Sequence, residues 1–132
     1  MLPSFEHITY NLTDFEKKTM VPLLVAGFKK MCALPGKVFS NAEIRAAIEK
    51  RHNIKITDIR MREMISYISI ELQAEFGEYY LAAGAKGYYM TNDTAHIRQH
   101  AESLASRMAS MQARMDVAMK KYNQLQNRQT AA

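Results

Sequence analysis

The chain has 132 residues, 48% of them hydrophobic and 23% charged, a balance that excludes a disordered chain and allows a sizeable buried core. No stretch is apolar over the roughly 18 residues that a membrane span requires, so we expect no membrane partner. The single cysteine, Cys32, cannot form an intrachain disulfide, which favours a reducing, cytoplasmic setting. The net charge of +5 favours an acidic partner, but proteins of similar charge often have none.

Two capping boxes predict the first two helices. Thr13 and Glu16 have the spacing in which each side chain caps the other's backbone N–H, and they predict a helix over 13–33. Because Pro22 falls inside it, we expect a kink there or a new helix that begins at Val21. The second box begins at Ser40 and predicts a helix over 41–52.

A third helix followed by a hairpin is predicted next. Thr57 can cap a helix over 57–76, in which apolar residues recur at helical spacing, and Gly77 suits its end. Tyrosine-rich runs on either side of a short turn containing Gly84 predict a β-hairpin over 78–91. This order of elements predicts a mainly α fold with a small hairpin, a winged helix-turn-helix domain over 1–92.

The last predicted element is a long helix over 93–132 with a frayed end. Its apolar residues are spaced alternately four and three apart, which is the heptad pattern of a coiled coil. We expect these residues to form the seam of a homodimer. The predicted seam residues are Ile97, Ala101, Leu104, Met108, Met111, Met115, Ala118 and Tyr122.

Several short segments resemble those of a known group of proteins. They are Leu12–Thr13, Val21–Leu24, Asn41–Ile44, Met61–Ile68, Gly87–Tyr89 and Ser103–Arg107. With them, nearly the whole chain resembles small winged helix-turn-helix proteins of phages and prophages. The resemblance implies the fold and a DNA-binding role, but no target sequence. It also implies a basic residue near position 69 or 70, where this chain has Ser69 and Ile70.

A basic cluster over residues 45–62 supports binding of duplex DNA. It contains six basic residues against Glu49 and Asp58, where phosphates would lie beside a helix that enters the major groove. An ordinary solvated surface would have the same composition. The predicted DNA contacts are Arg45, Lys50, Arg51, Lys55, Arg60, Arg62, Ser66, Tyr67 and Lys86, with Gln73 as a further candidate.

The exposed face predicted for the third helix favours a different function. Ile59 and Ile70 fall opposite the buried stripe, together with Glu63, which would repel phosphates. These residues are better suited to protein than to DNA. The alternative to a DNA-binding phage regulator is therefore a protein-binding module or an inhibitor of a host complex. We place DNA binding slightly ahead because fold and charge agree.

No pattern indicates catalysis. The sequence has no paired-carboxylate motif and no recognisable nucleophile, base and acid set, so we expect a protein that is not an enzyme and uses no cofactor. His96 and His100 are four residues apart on the last helix, but no third ligand accompanies them. Two surface histidines are the simpler interpretation, and we predict no metal site.

Overall fold

The computed structural model describes residues 10–131, with side chains as far as residue 129. The chain divides into two compact units, Met1–Asp93 and Thr94–Ala132. As predicted, the described part is mainly helical and contains one hairpin. Its helices are α1 (Val21–Met31), α2 (Asn41–His52), α3 (Asp58–Glu71) and α4 (Thr94–Ala131), and its strands are β1 (Tyr80–Gly84) and β2 (Gly87–Thr91).

A π-helical turn, Glu16–Met20, precedes α1. The Thr13 capping box is formed, since the Thr13 N–H donates to Glu16 Oε1 at 2.8 Å and the Glu16 N–H donates to Thr13 Oγ1 at 3.1 Å. The Val21 N–H donates to the Glu16 carbonyl, and Pro22 in the next turn has no N–H to give. The predicted start of α1 at Val21 is confirmed. The backbone is helical on both sides of this residue, and its hydrogen-bonding pattern changes there from π-helical to α-helical.

The second helix has the limits that its capping box predicts. The Glu43 N–H donates to Ser40 Oγ at 3.1 Å, and the Ser40 N–H donates to Glu43 Oε1 at 3.2 Å. At the other end Asn53 adopts the left-handed conformation, with φ of 54°. Asparagine tolerates this conformation better than most residues, so α2 ends at His52.

The third helix is shorter than the predicted 57–76. Thr57 caps it, because its Oγ1 accepts the Arg60 N–H at 3.2 Å, but α3 ends at Glu71 and a 3₁₀ turn, Gln73–Phe76, follows. The Gln73 side chain accepts the Leu81 N–H at 3.1 Å and donates to the Leu81 carbonyl at 2.9 Å. These two bonds tie the turn to β1, so Gln73 has an internal role in place of the predicted DNA contact.

The hairpin pairs β1 and β2 in antiparallel register, with Leu81 opposite Met90 and Gly84 opposite Gly87. A two-residue turn joins them. Phe39 forms a bridge with β2, in which its N–H and carbonyl each bond to Tyr88 at 2.9 Å. The backbone just before α2 thus extends the hairpin on the side of β2.

The buried core belongs to the first unit. It is formed where α1, α3 and the hairpin pack together, and residues of α3 such as Met61, Met64, Ile65 and Ile68 are at its centre. The remaining buried hydrophobic residues are Met20, Val21, Leu24, Phe28, Ile48, Phe76, Leu81, Ala82 and Met90.

Gly87 is the position in the hairpin that least tolerates a side chain. A Cβ there would lie 2.3 Å from the Phe39 carbonyl oxygen, and its φ of +147° is strained for other residues. We therefore expect Gly87→Ala to lower the free energy of unfolding by about 1–3 kcal/mol in urea denaturation.

Gly84→Ala is the matched control, because a Cβ there meets its nearest atom at an ordinary 3.6 Å. Equal stability of the two variants would contradict the close approach of Phe39 to β2.

Candidate functional site

Helix α3 presents three different sides. Its buried side packs into the core, and its exposed side carries Ile59, Arg62, Ser66 and Ile70 at helical spacing. Ile59 is 73% exposed and Ile70 is 51% exposed, so the predicted outward position of both is confirmed. The two isoleucines are about 16 Å apart along the helix axis, with Arg62 and Ser66 between them, so this face mixes apolar and polar side chains.

The third side of α3 is held by the segment before the first helix. The Tyr10 ring meets the Tyr67 ring edge to face at 5.1 Å, and the Tyr10 hydroxyl donates to Glu71 at 3.3 Å. The Asn11 N–H donates to Glu63 at 3.4 Å. Burial and the nearby carboxylate of Glu71 raise the pKa of Tyr10. Tyr67 is therefore half covered, and two carboxylates lie on this side of the helix.

Arg60 forms an ion pair with Glu16 within the first unit. Its Nε lies 2.8 Å from Glu16 Oε2, its Nη2 also contacts Glu16 Oε1, and Nη2 donates to the Asn11 carbonyl at 2.5 Å. Glu16 is only 7% exposed. The hydrogen bond from Arg60, with those from Thr13, holds the pKa of Glu16 below its usual range despite its burial. Arg60 joins the π-helical turn to α3, and its guanidinium is already occupied.

The other basic residues of the predicted cluster point in several directions. Arg45 and Lys55 line one shallow pocket on the outside of α2, where Arg45 Nε donates to Asn41 Oδ1 at 2.6 Å and Lys55 lies 3.9 Å from Glu49. Arg51 lines a separate groove, between α1 and α2.

Three basic residues of the predicted set are exposed and have no ion pair among residues 10–131, namely Lys50 and Arg51 on α2 and Lys86 at the hairpin turn. Arg62 is exposed but lies 2.9 Å from Asp58. The structure therefore does not gather the predicted cluster on one face.

The groove between α1 and α2 has a volume of about 480 Å³. Apolar residues such as Leu23, Phe39 and Ile44 form most of its lining, and four ionisable residues, Lys30, Glu43, Arg51 and His52, also line it. Its size is in the range of small-molecule sites.

The net charge is concentrated outside the first unit. Residues 1–93 contain twelve basic and eleven acidic side chains, whereas residues 94–132 contain six basic and two acidic ones. The basic cluster of the first unit is thus nearly balanced by acidic residues elsewhere in it. The predicted attraction for an acidic partner belongs mainly to the C-terminal helix.

Helix α4 has no buried residue in the part whose side chains the structure describes. Every residue from Ala101 to Gln129 is exposed, although the heptad spacing of the predicted seam continues through Tyr122 to Leu125. Met108 is 71% exposed, and the large side chains on either side of it along the seam are also exposed. The seam is therefore available to a second helix.

Groups of three or more potential metal ligands are absent from residues 10–131. Cys32 is half-buried, its thiol donates to the Phe28 carbonyl at 3.6 Å, and burial raises its pKa, so it is a poor nucleophile at neutral pH. The helices between residues 10 and 131 include none that is long and apolar enough to cross a membrane.

Comparisons with known protein families, curated proteins and solved structures found no match for the chain. A fold alone does not define a function, so the exposed surfaces of the two units are the features that indicate one.

Sequence reasoning missed Glu16 as a partner of Arg60. Glu16 was predicted only as part of a capping box, but it also lies four residues before Met20 and eight before Leu24, both of which are buried. A charged residue on the buried side of a helix requires an opposite charge, and that spacing was the available signal.

The lowered pKa of Glu16 gives a test of this ion pair. The ionised carboxylate stabilises the folded state above the unfolded pKa of about 4.3, and that contribution is lost as the pH falls through the lower folded pKa. We expect Glu16→Gln to reduce the free energy of unfolding at pH 7, and the difference from wild type to shrink below about pH 4.3 in chemical denaturation.

Glu75→Gln serves as the control, since its carboxylate lies 3.6 Å from Lys29 on the exposed surface. A Glu16→Gln difference that stays constant between pH 7 and about pH 3 would contradict the role of the pair.

Proposed function

We propose that this protein is a protein-binding module, in which the exposed seam of α4 pairs with another helix. The observation that carries the proposal is the row of exposed apolar side chains at heptad spacing from Ala101 to Leu125. Most of the stability of a protein helix comes from packing of its apolar face. A helix of 38 residues that leaves this face in water is suited to pairing.

The exposed side of α3 supports the same class of function. Burying a large aliphatic side chain contributes about 1.5–3 kcal/mol, so Ile59 and Ile70 would each contribute to an interface with protein. Duplex DNA would gain little from either isoleucine and would meet the carboxylates of Glu63 and Glu71 beside them. We infer a second protein contact on this side of α3.

Binding of duplex DNA by the first unit is the second candidate function. Two features favour it. Helices α2 and α3 are followed by a two-stranded hairpin, which is the order of elements expected of a winged helix-turn-helix domain, and Lys50, Lys55, Arg62 and Lys86 are exposed. The near balance of charge in residues 1–93 limits the attraction to phosphates. We therefore place protein binding ahead of DNA binding, in the reverse of the order that the sequence favoured.

Affinity capture tests the protein-binding proposal. Tagged protein, expressed in its native cells, should retain a stoichiometric protein partner after nuclease treatment and a high-salt wash. Met108→Lys combined with Met115→Lys should abolish retention, because a charge buried in an apolar seam is costly unless paired. Val117→Lys is the control, since Val117 is 69% exposed and lies off the seam.

Two results would contradict the proposal. One is a partner that is lost on nuclease treatment, and the other is retention that the seam variants do not change.

A salt titration tests the DNA-binding candidate. If Lys55 and Arg62 contact phosphates, affinity for random duplex should fall steeply with salt, and alanine at either position should flatten the log–log slope by about one unit. Ile59→Ser and Ile70→Ser should leave this binding unchanged while weakening protein capture. Absence of a gel shift at micromolar protein in low salt would rule this candidate out.

A further inference from the structure

The basic residues of α4 lie mostly along one edge of the seam. Arg107, Arg114, Lys121 and Arg128 are spaced seven residues apart, and the first three each immediately precede a seam residue. Seven residues are close to two helical turns, so their side chains form a column with a spacing of about 10.5 Å. His100 occupies the same position one heptad earlier. We call these five residues the basic edge.

The opposite edge of the seam is almost uncharged. Its residues are Arg98, Ala105, Gln112, Met119 and Gln126. In a coiled coil the two edges of one helix face the edges of its partner, and their charges determine which partner binds and in which direction. The difference between the two edges therefore carries information about the partner.

The acidic residues of α4 do not compensate the basic edge. Glu102 accepts from Arg98 at 3.0 Å, and Asp116 accepts from Gln112 at 2.9 Å. Both lie on the outer side of the helix, away from the seam. Within the described residues of α4, an acidic side chain that could neutralise the basic edge of a second copy is absent.

The seam also has two places where the side chain is small, Ala101 and Ala118. In a parallel, in-register pair with a second copy, each alanine would face itself and leave its layer underfilled. An antiparallel pair could place Leu125 opposite Ala101 and Met108 opposite Ala118. That arrangement fills the layers, but it sets the two basic edges against each other. A second copy can therefore either fill the two alanine layers or keep the basic edges apart, but it cannot do both.

We propose that the seam of α4 binds an acidic amphipathic helix of a different protein. This helix carries large apolar residues opposite Ala101 and Ala118 and aspartate or glutamate opposite Arg107, Arg114 and Lys121. Such a partner fills both layers and neutralises the basic edge, where complementary charge gives specificity. The inference rests on the proposed function, and it replaces the second copy that the sequence analysis predicted.

Two synthetic peptides of about five heptads test the inference. Both have leucine at the seam positions. One has glutamate along both edges and the other has lysine. We expect the full-length protein to be monomeric in sedimentation equilibrium at about 50 μM, and to bind the glutamate peptide at least about tenfold more tightly than the lysine peptide in calorimetry. The affinity should fall as salt is added.

Variants of the protein separate the contributions of the edge and the seam. Arg107→Glu, Arg114→Glu and Lys121→Glu together should reverse the preference between the peptides. Lys120→Glu, which changes charge away from the seam, should preserve it. Met108→Ser with Met115→Ser should weaken binding of the glutamate peptide although the charge is unchanged.

Three results would overturn the inference, each in a different part. A stable dimer that the glutamate peptide does not dissociate would identify a second copy as the partner, and would overturn the inference while leaving helix pairing intact. Equal affinity for the two peptides, or tighter binding of the lysine peptide, would overturn the selection of an acidic partner by the basic edge. A monomer that binds neither peptide would overturn both the inference and the proposed role of the seam.

Discussion

The proposed function depends on the exposure of the apolar face of α4. Long helices in water are stabilised mainly by burial of such a face, and here the large side chains from Leu104 to Leu125 are exposed. The buried core, by contrast, is formed between Met20 and Met90. The chain thus combines a unit with its own core and a helix whose apolar face is free to pair.

The two units also differ in how their charged residues are used. The first unit uses several of its charges internally: Glu16 with Arg60, Asp58 with Arg62 and Glu49 with Lys55. The largest excess of positive charge lies on α4, where it borders the apolar seam on one side. An apolar seam with a charged edge selects its partner by both packing and charge, as coiled coils do.

Local sequence signals predicted much of the fold. The capping boxes at Thr13 and Ser40 define helix starts through contacts within three residues, and the hairpin follows from its residue composition. The end of α3 could not be predicted in this way, because it depends on a bond between the Gln73 side chain and the backbone of Leu81 in the following strand. Tertiary contacts of this kind override helix propensity.

The candidate site was less predictable than the fold. Proximity in sequence suggested one basic cluster, but the 100° rotation per residue directs Arg45, Lys50 and Arg51 to different sides of α2. Arg60 is engaged by a carboxylate 44 positions earlier in the chain. The outward position of Ile59 and Ile70 was predicted correctly, because helical periodicity alone determines it, whereas the pairing of the heptad seam stays a prediction.

Hydrogen exchange followed by mass spectrometry shows whether the apolar face of α4 is unpaired in the isolated protein. In dilute, monomeric protein, the amides of residues 101–129 should exchange fast while those of α3 around Ile65 stay protected, since only the latter belong to a packed core. Addition of the protein captured from cells should slow exchange along the heptads of α4. Strong protection of residues 101–129 in the isolated monomer, unchanged by the partner, would contradict the account.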